Sequence, residues 1–419
     1  MARLAGSVAG GMLAEGSRQL RDGKPLKARD MLLTPANARR VADQLAGMRG
    51  AAMKVGQMLS MDTGDFLPPE LADILARLRD DANIMPPEQL EQAMTESFGA
   101  DWESLFYNFD PKPIAAASIG QVHRTLSPDG RDIVLKVQYP GVARSIDSDV
   151  DNISGLLRLS GLLPDGLDIN PLLADAKRQL KDEADYLKEA KHLQSFGQLL
   201  ASDDRFVVPE LLPDLTHKTV LAMTYVSGVP IEEVAVAPQH ERNRVTEAMF
   251  DLMFLELFEL RQMQTDPNFA NYRYRRKTGE IVLLDFGATR RFKAEFVRSY
   301  KKLAAAAVDA DLDGMVAAAI KLGYDMGEEE SPYRALIEEL FELALEPVTY
   351  DDEFDFAESE LASNIAELGE KVTDYRDFWR MPPMDAVYLH RKLGGMFMLA
   401  TRLRARVNLH AVITRWLGR

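Results

Sequence analysis

The stretch Ile281-Val282-Leu283-Leu284-Asp285-Phe286-Gly287-Ala288-Thr289-Arg290 decides how this chain reads. Its apolar start, Ile281 to Leu284, has the length of a buried strand and ends on a carboxylate followed by a Phe-Gly turn. Nineteen residues before Asp285 stands Asp266, in Gln264-Thr265-Asp266-Pro267-Asn268-Phe269-Ala270-Asn271, and Asn271 follows it by five positions. A carboxylate at a strand end and an amide oxygen are hard donors, of the kind Mg²⁺ takes. A second carboxylate upstream suits the orientation of a hydroxyl or water and the acceptance of its proton.

Asp, then Asn five residues on, then Asp-Phe-Gly after a short hairpin resembles the order in which protein kinases present their catalytic carboxylate and their two magnesium ligands. On that likeness Asp266 is catalytic, Asn271 and Asp285 hold the metal, and the reaction class is phosphoryl transfer from a nucleotide. An isolated Asp-Phe-Gly arises readily by chance at a strand-to-turn boundary. Three polar residues in register make chance a poor account.

The chain has 419 residues, so two or three packed units are expected. A content of 46% apolar and 27% charged residues is that of a globular protein. Cysteine is absent, which excludes disulfides and thiolate metal sites and suits a reducing compartment. The six histidines lack metal-ligand spacing, so no zinc is expected. A net charge of -15 argues against nucleic acid as a partner. That charge is uneven: residues 1–54 carry ten Lys/Arg against four Asp/Glu, and from Arg391 to the end there are seven Lys/Arg and no acid. Basic termini on an acidic body suit an anionic lipid surface, although solvated helix faces account for the charge equally well. The uncharged run Leu4 to Ala14 spans eleven residues. A bilayer span needs about 20, so a short helix lying on a membrane or on the protein body fits better than a transmembrane one.

Three regions are expected. Residues 1–110 read as helices with Pro-marked breaks at Pro35, Pro68-Pro69 and Pro86-Pro87. In residues 111–228, short extended runs at Ile114–Ala117, Gln121–Leu126 and Ile133–Gln138 precede helical periodicity over 142–163 and 171–200. Further strands follow at Phe206–Glu210 and Thr219–Val226. Residues 229–419 are mainly helical, and Arg242 to Met263 is apolar on almost every face, which marks a buried central helix.

Lys136 lies in Ile133-Val134-Leu135-Lys136-Val137-Gln138, and a lysine in such a strand is costly without a counter-charge or anionic ligand. In kinases such a lysine holds the nucleotide phosphates and pairs with a helix glutamate; Glu189 is the candidate here, although spacing does not single it out among its acidic neighbours. Where a kinase has a Gly-rich loop, this chain has Ala115-Ala116-Ala117-Ser118 and then Gly120. Alanines disfavour positive φ, so this nucleotide loop is expected to be stiffer, with altered nucleotide preference or slower transfer. Thr224 and Val226, in Met223-Thr224-Tyr225-Val226, are placed like the hinge whose backbone meets adenine. No GxxxxGK[ST] loop is present.

Together these residues resemble the signature of the UbiB/ABC1 (ADCK) atypical kinase family, and its coenzyme Q branch in particular. Lys54-Val55-Gly56-Gln57 matches that family's KxGQ motif, Ala115-Ala116-Ala117-Ser118 its Ala-rich loop, and Glu183-Ala184-Asp185 its ExD motif, with Glu189 following. The resemblance runs from about residue 4 to about 409. It implies an α+β, bilobal protein-kinase-like fold with an N-terminal helical extension packed over the active site. It also implies regulatory roles for Lys54, Gln57, Glu183 and Asp185, in which the KxGQ helix fills the space of a protein substrate. ATP or ADP with Mg²⁺ is the implied cofactor. Isoprenoid-quinone precursors, quinone-biosynthesis enzymes and membrane lipids are the implied partners.

The expected function is an ATP-binding atypical kinase or ATPase that supports ubiquinone biosynthesis or lipid homeostasis. Phosphoryl transfer would go to water or a small molecule rather than to protein. Two alternatives stay open: a true small-molecule or protein kinase, and a non-enzymatic, nucleotide-switched scaffold for quinone-biosynthesis enzymes. Many bacterial relatives end in two hydrophobic spans, whereas this chain ends in Val407-Asn408-Leu409-His410-Ala411-Val412-Ile413-Thr414-Arg415-Trp416-Leu417-Gly418-Arg419. A cytoplasmic protein with peripheral contact to the inner membrane is therefore expected.

Overall fold

Pro87 opens the first helix that the computed structural model describes, α1 (Pro87–Phe98). Proline suits a first helical turn because its φ is preset and it has no N–H to leave unpaired. The structure describes residues 84–160, 169–372, 375 and 382–418. The expected helices before residue 84, with Lys54 and Gln57, lie outside them. The chain divides into two compact units, one reaching to Lys188 and including Leu211–Tyr225, the other taking Glu189–Glu210 and Val226–Arg419.

In the first unit, β1 (Ala115–Ala117), β2 (Gly120–Leu126) and β3 (Asp132–Gln138) form an antiparallel meander. The turn from β2 to β3 closes through the Gly130 N–H on the Ser127 carbonyl at 2.9 Å, with Gly130 at φ +84°. Two helices follow, α2 (Val142–Ser160) and α3 (Asn170–Glu183). Next come α4 (Tyr186–Leu199) and β4 (Phe206–Val207), with the chain from Glu189 to Glu210 belonging to the second unit. β5 (Val220–Thr224) then returns to the first unit and pairs with β3. Side chains alternate along β3. Ile133, Leu135 and Val137 join Leu90 and Met94 of α1 in one apolar cluster with Trp102 and Phe106. Lys136 and Gln138 alternate with them.

One helix was expected over 171–200, and the structure breaks it between Glu183 and Tyr186. The reason is local. Gln138 donates from Nε2 to the Ala184 carbonyl at 3.0 Å, and the Asp185 carboxylate accepts the N–H groups of Leu187 at 3.2 Å and Lys188 at 3.3 Å. A carboxylate capping the first turn of a new helix contributes about 1 kcal/mol.

The second unit holds a sheet in the order β4-β9-β8-β6, from β6 (Val229–Pro230), β8 (Tyr272–Arg275) and β9 (Glu280–Leu283). Beside it are a ladder of β7 (Gln262–Gln264) with β10 (Thr289–Arg291) and a short one of β11 (Phe354–Asp355) with β12 (Arg406–Val407). The long helix expected over 242–263 is shorter. α5 (Gln239–Leu255) passes into a π-turn, Glu256–Leu260, and the chain reverses at Arg261, whose φ is +51°, to enter β7. Apolar pattern alone does not separate a buried helix from the buried strand that continues it. The remaining helices are α6 (Ala294–Val308), α7 (Leu312–Leu322), α8 (Pro332–Thr349), α9 (Leu361–Val372), α10 (Met384–Leu403) and α11 (Leu409–Leu417). Among the described residues no helix is long and apolar enough to cross a membrane.

Candidate active site

In the second unit, the loop between β7 and β8 carries Asp266 and Asn271 and is tied to the Asp-Phe-Gly segment at both ends. Thr265 donates its N–H and its hydroxyl to the Ala288 carbonyl, at 3.1 and 2.8 Å. The Leu284 N–H donates to the Asn271 carbonyl at 3.0 Å. Inside the loop, the Asn268 side chain accepts the Ala270 N–H at 3.1 Å, which tightens a single 3-10 turn. Asn271 donates from Nδ2 toward the Asp266 carbonyl at 3.4 Å, so its amide oxygen is the end left for a ligand.

Asp285 accepts the Gly287 N–H on Oδ1 at 2.9 Å, which closes the turn around Phe286. Phe286 is buried against Phe196 of α4, ring centroids 4.9 Å apart. The same helix carries Glu189, which is 2% exposed. A Cβ on Gly287 would stand 3.2 Å from Glu189 Oε2 and 3.3 Å from Asp285 Oδ1. Two carboxylates therefore flank one small space that glycine keeps open. These carboxylate oxygens are hard donors of the kind that fits Mg²⁺. Among the described residues no group of three or more His, Asp or Glu side chains gathers to hold a metal.

Asp266 meets a cation that the sequence reading did not single out. Arg391 of α10 places Nη2 2.9 Å from Asp266 Oδ1, and the arginine side chain is only 4% exposed. Next to it Lys392, 2% exposed, donates to the Tyr272 hydroxyl at 2.8 Å. Glu256, at the π-turn, is buried; burial pushes its carboxyl up to about 7, against the opposing pull of the Lys392 charge and of the Gln264 N–H. Arg391 and Lys392 were counted above in a basic C-terminal run suited to a lipid surface. Both are buried, so that count of surface charge is too high by two. A helical Gly394-Gly395 just after them was the available signal, since mid-helix glycine costs about 1 kcal/mol and marks a close approach.

In the first unit, Ala115–Ala117 form a strand rather than an open loop, paired with Gly120 to Val122. Ala115 and Ala116 are exposed, and Ser118 with Ile119 makes the tight turn. Gly120 is required there because any Cβ would overlap the Val137 carbonyl oxygen. Ser118 donates its hydroxyl to Glu183 Oε2 at 3.2 Å, and Gln179 donates to Glu183 Oε1 at 3.3 Å. Glu183 thus anchors the turn, whereas Asp185, two residues on, caps α4. Lys136 is buried, with Nζ 5.3 Å from the centre of the Tyr186 ring, a cation–π distance. It belongs to the first unit and its candidate partner Glu189 to the second. Thr224 and Val226 fall on either side of the division between units.

The family described as "ABC1 atypical kinase-like domain" matches residues 77–319. The chain is 38% identical over 415 residues to "Atypical kinase COQ8, mitochondrial" of Saccharomyces cerevisiae, covering 96% of this chain and 81% of the yeast protein. It is 32% identical over 320 residues to "Probable protein kinase UbiB" of Erwinia tasmaniensis, covering 71% of this chain and 57% of that protein. Among solved structures it resembles that of the Rv3197–erythromycin complex from Mycobacterium tuberculosis, with a TM-score of 0.61 at 23% identity, over 89% of this chain and 95% of the other. That likeness bears on the fold, which is α+β and kinase-like. The chain belongs to the UbiB/ABC1 (ADCK) family of atypical kinases, in its coenzyme Q branch.

Proposed function

We propose that this chain is an ATP-dependent atypical kinase of ubiquinone synthesis that transfers the γ-phosphoryl group to water or a small molecule rather than to protein. The observation that carries the reading is the loop of the second unit, in which hydrogen bonds tie the segment of Asp266 and Asn271 to Leu284 and Ala288, on either side of Asp285. Mg²⁺, when bound with the nucleotide, supplies charge neutralisation at the phosphates. Asn271 and Asp285 are the residues that would hold it, with Glu189 beside Asp285. Asp266 orients the acceptor oxygen and takes its proton. Lys136 offers the phosphates a cation whose solvation is already lost through burial, so it gains more from an anionic ligand than a surface lysine would. The turn at Ala115–Ser118 and Gly120 lies against the phosphates, and the backbone at Thr224 and Val226 receives adenine. Lys54 and Gln57, within the 1–110 extension, exclude a protein acceptor, and Glu183 couples that extension to the nucleotide turn. The boundaries 111–228 and 229–419 are proposed for the two kinase-like lobes. Contact with an anionic membrane or with quinone-biosynthesis enzymes is peripheral in this reading.

Phosphate release by the purified chain tests it, measured with Mg·ATP, with and without anionic liposomes and a phenolic quinone-precursor mimic. Turnover that liposomes or the phenol raise, and that Asp285→Asn abolishes, is the expected result. Equal turnover in Asp285→Asn would sink the reading. Tight nucleotide binding with no turnover under any condition would favour the scaffold.

A further inference from the structure

We infer that Arg391 is the positioning residue for the Asp266 carboxylate, and that α10 is the template on which the catalytic loop is set; the inference rests on the reading of Asp266 given above. Three contacts of one helix carry it, all within the second unit. Arg391 Nη2 lies 2.9 Å from Asp266 Oδ1. Gly395, one helical turn on, presents no side chain to Pro267, and a Cβ there would overlap the proline ring. Lys392 Nζ reaches the Tyr272 hydroxyl at 2.8 Å. Residues four apart on a helix share a face, so Arg391 and Gly395 meet the consecutive loop residues Asp266 and Pro267. Lys392 meets the far end of the same loop, just past Asn271.

Two adjacent buried cations are expensive, each several kcal/mol before compensation. Apolar side chains would pack α10 against the loop at lower cost. A guanidinium does what an apolar group does not: its Nη2 donates to one carboxylate oxygen and fixes that oxygen in place. Holding Oδ1 leaves Oδ2 to the acceptor and restricts the rotation that would otherwise scatter it. Tyr272 is buried as well, so the Lys392 contact fastens β8 where it leaves the loop. A register that grips both ends of a loop of this length sets the acid-base group to the fraction of an ångström that reaction geometry requires. A purely structural ion pair would lower stability when broken and leave the rate per folded molecule unchanged.

The test uses the full chain and separates rate from binding. Phosphate release at saturating Mg·ATP gives turnover, titration with a fluorescent ADP analogue gives nucleotide affinity, and thermal unfolding gives stability. Arg391→Met is expected to lower saturated turnover about 100-fold while nucleotide affinity stays within about twofold, and Arg391→Lys, with the charge but a shorter and differently aimed donor, falls between it and the parent. Gly395→Ala, with Arg391 intact, displaces Pro267 and is expected to lower turnover about tenfold with the same split. Arg391→Met added to Asp266→Asn is expected to cost nothing further, because the two act as one unit. Turnover of Arg391→Met within about threefold of the parent, or a loss that multiplies with that of Asp266→Asn, overturns the inference. If Arg391→Met does not fold, Arg391→Lys and Gly395→Ala decide it, and parental turnover in both overturns it. Asp266→Asn separates the two layers. Full activity in that variant, or none in the parent, removes the Asp266 reading and this inference with it. An inactive Asp266→Asn beside active Arg391 variants removes this inference alone.

Discussion

The loop that carries Asp266 and Asn271 and the turn that carries Ser118 are held in opposite ways. The first is laced by main-chain hydrogen bonds to residues on both sides of Asp285 and backed by two buried cations. The second is a two-residue turn at the end of a short strand, held by its ladder to β2, by the Tyr139 N–H donating to the Ile119 carbonyl at 3.0 Å, and by one side-chain hydrogen bond from Ser118 to Glu183. Main-chain ties constrain position whatever the side chains do. A single hydroxyl–carboxylate bond is lost by changing either partner. The groups proposed for chemistry therefore share two main-chain ties and a buried ion pair, while Ser118, proposed to meet the nucleotide, has a side-chain tie that one substitution removes.

The sharpest way to break that comparison is at Asp285, the proposed metal ligand. Asp285→Asn keeps the side-chain volume and removes the charge. Saturated turnover is expected to fall about 10³-fold with nucleotide affinity changed far less, measured by phosphate release beside nucleotide titration. A comparable loss of affinity without loss of turnover would show that the acid serves the grip. Next in size is Gly120→Ala, where the clash is with the Val137 carbonyl, a backbone group that has little room to yield. Stability is expected to fall by about 3 kcal/mol, read from the denaturant midpoint. Gly287→Ala inverts the pattern. There the neighbours are carboxylate oxygens at 3.2 and 3.3 Å, able to give by a few tenths of an ångström. The unfolding midpoint should move little while saturated turnover falls about tenfold, because the space between Glu189 and Asp285 is partly filled. Unfolding by Gly287→Ala as severe as that by Gly120→Ala would show both glycines to be structural.

Much of this architecture is legible without coordinates, for physical reasons that can be named. Strands β2, β3, β8 and β9 are short alternating or apolar runs closed by turn residues, and local chemistry determines them. The break at Ala184-Asp185 is not legible, because it depends on Gln138, 46 residues away, gripping a carbonyl. The π-turn at Glu256–Leu260 is equally hidden, since the apolar pattern of α5 runs on through it toward β7. Within the site, Asp266, Asn271 and Asp285 stand in one recognisable order. Arg391 is 125 residues from the carboxylate it holds, in a run whose helical spacing and charge read as solvent-facing. Pattern gives side-chain type and period, not which buried acid a basic residue will meet. Glu183 and Asp185, two residues apart, look equivalent as letters, yet one anchors a turn and the other caps a helix.

The smallest expected effect separates the two regions most cleanly. Ser118→Ala removes the donor of the side-chain bond that ties the proposed nucleotide turn to Glu183, and Glu183→Gln keeps the shape of the acceptor while removing its charge. A hydrogen bond to a carboxylate is worth about 1 kcal/mol net at a partly exposed site, and the turn keeps its ladder to β2 in either variant. Affinity for a fluorescent ADP analogue is therefore expected to change about fivefold in both variants, with saturated turnover within about twofold of the parent. Combined, the two changes are expected to cost less than their sum, since both act on the same bond. A fall in saturated turnover at constant affinity would place Ser118 with the chemistry rather than the grip, and the contrast between a fixed loop and an adjustable turn would no longer stand.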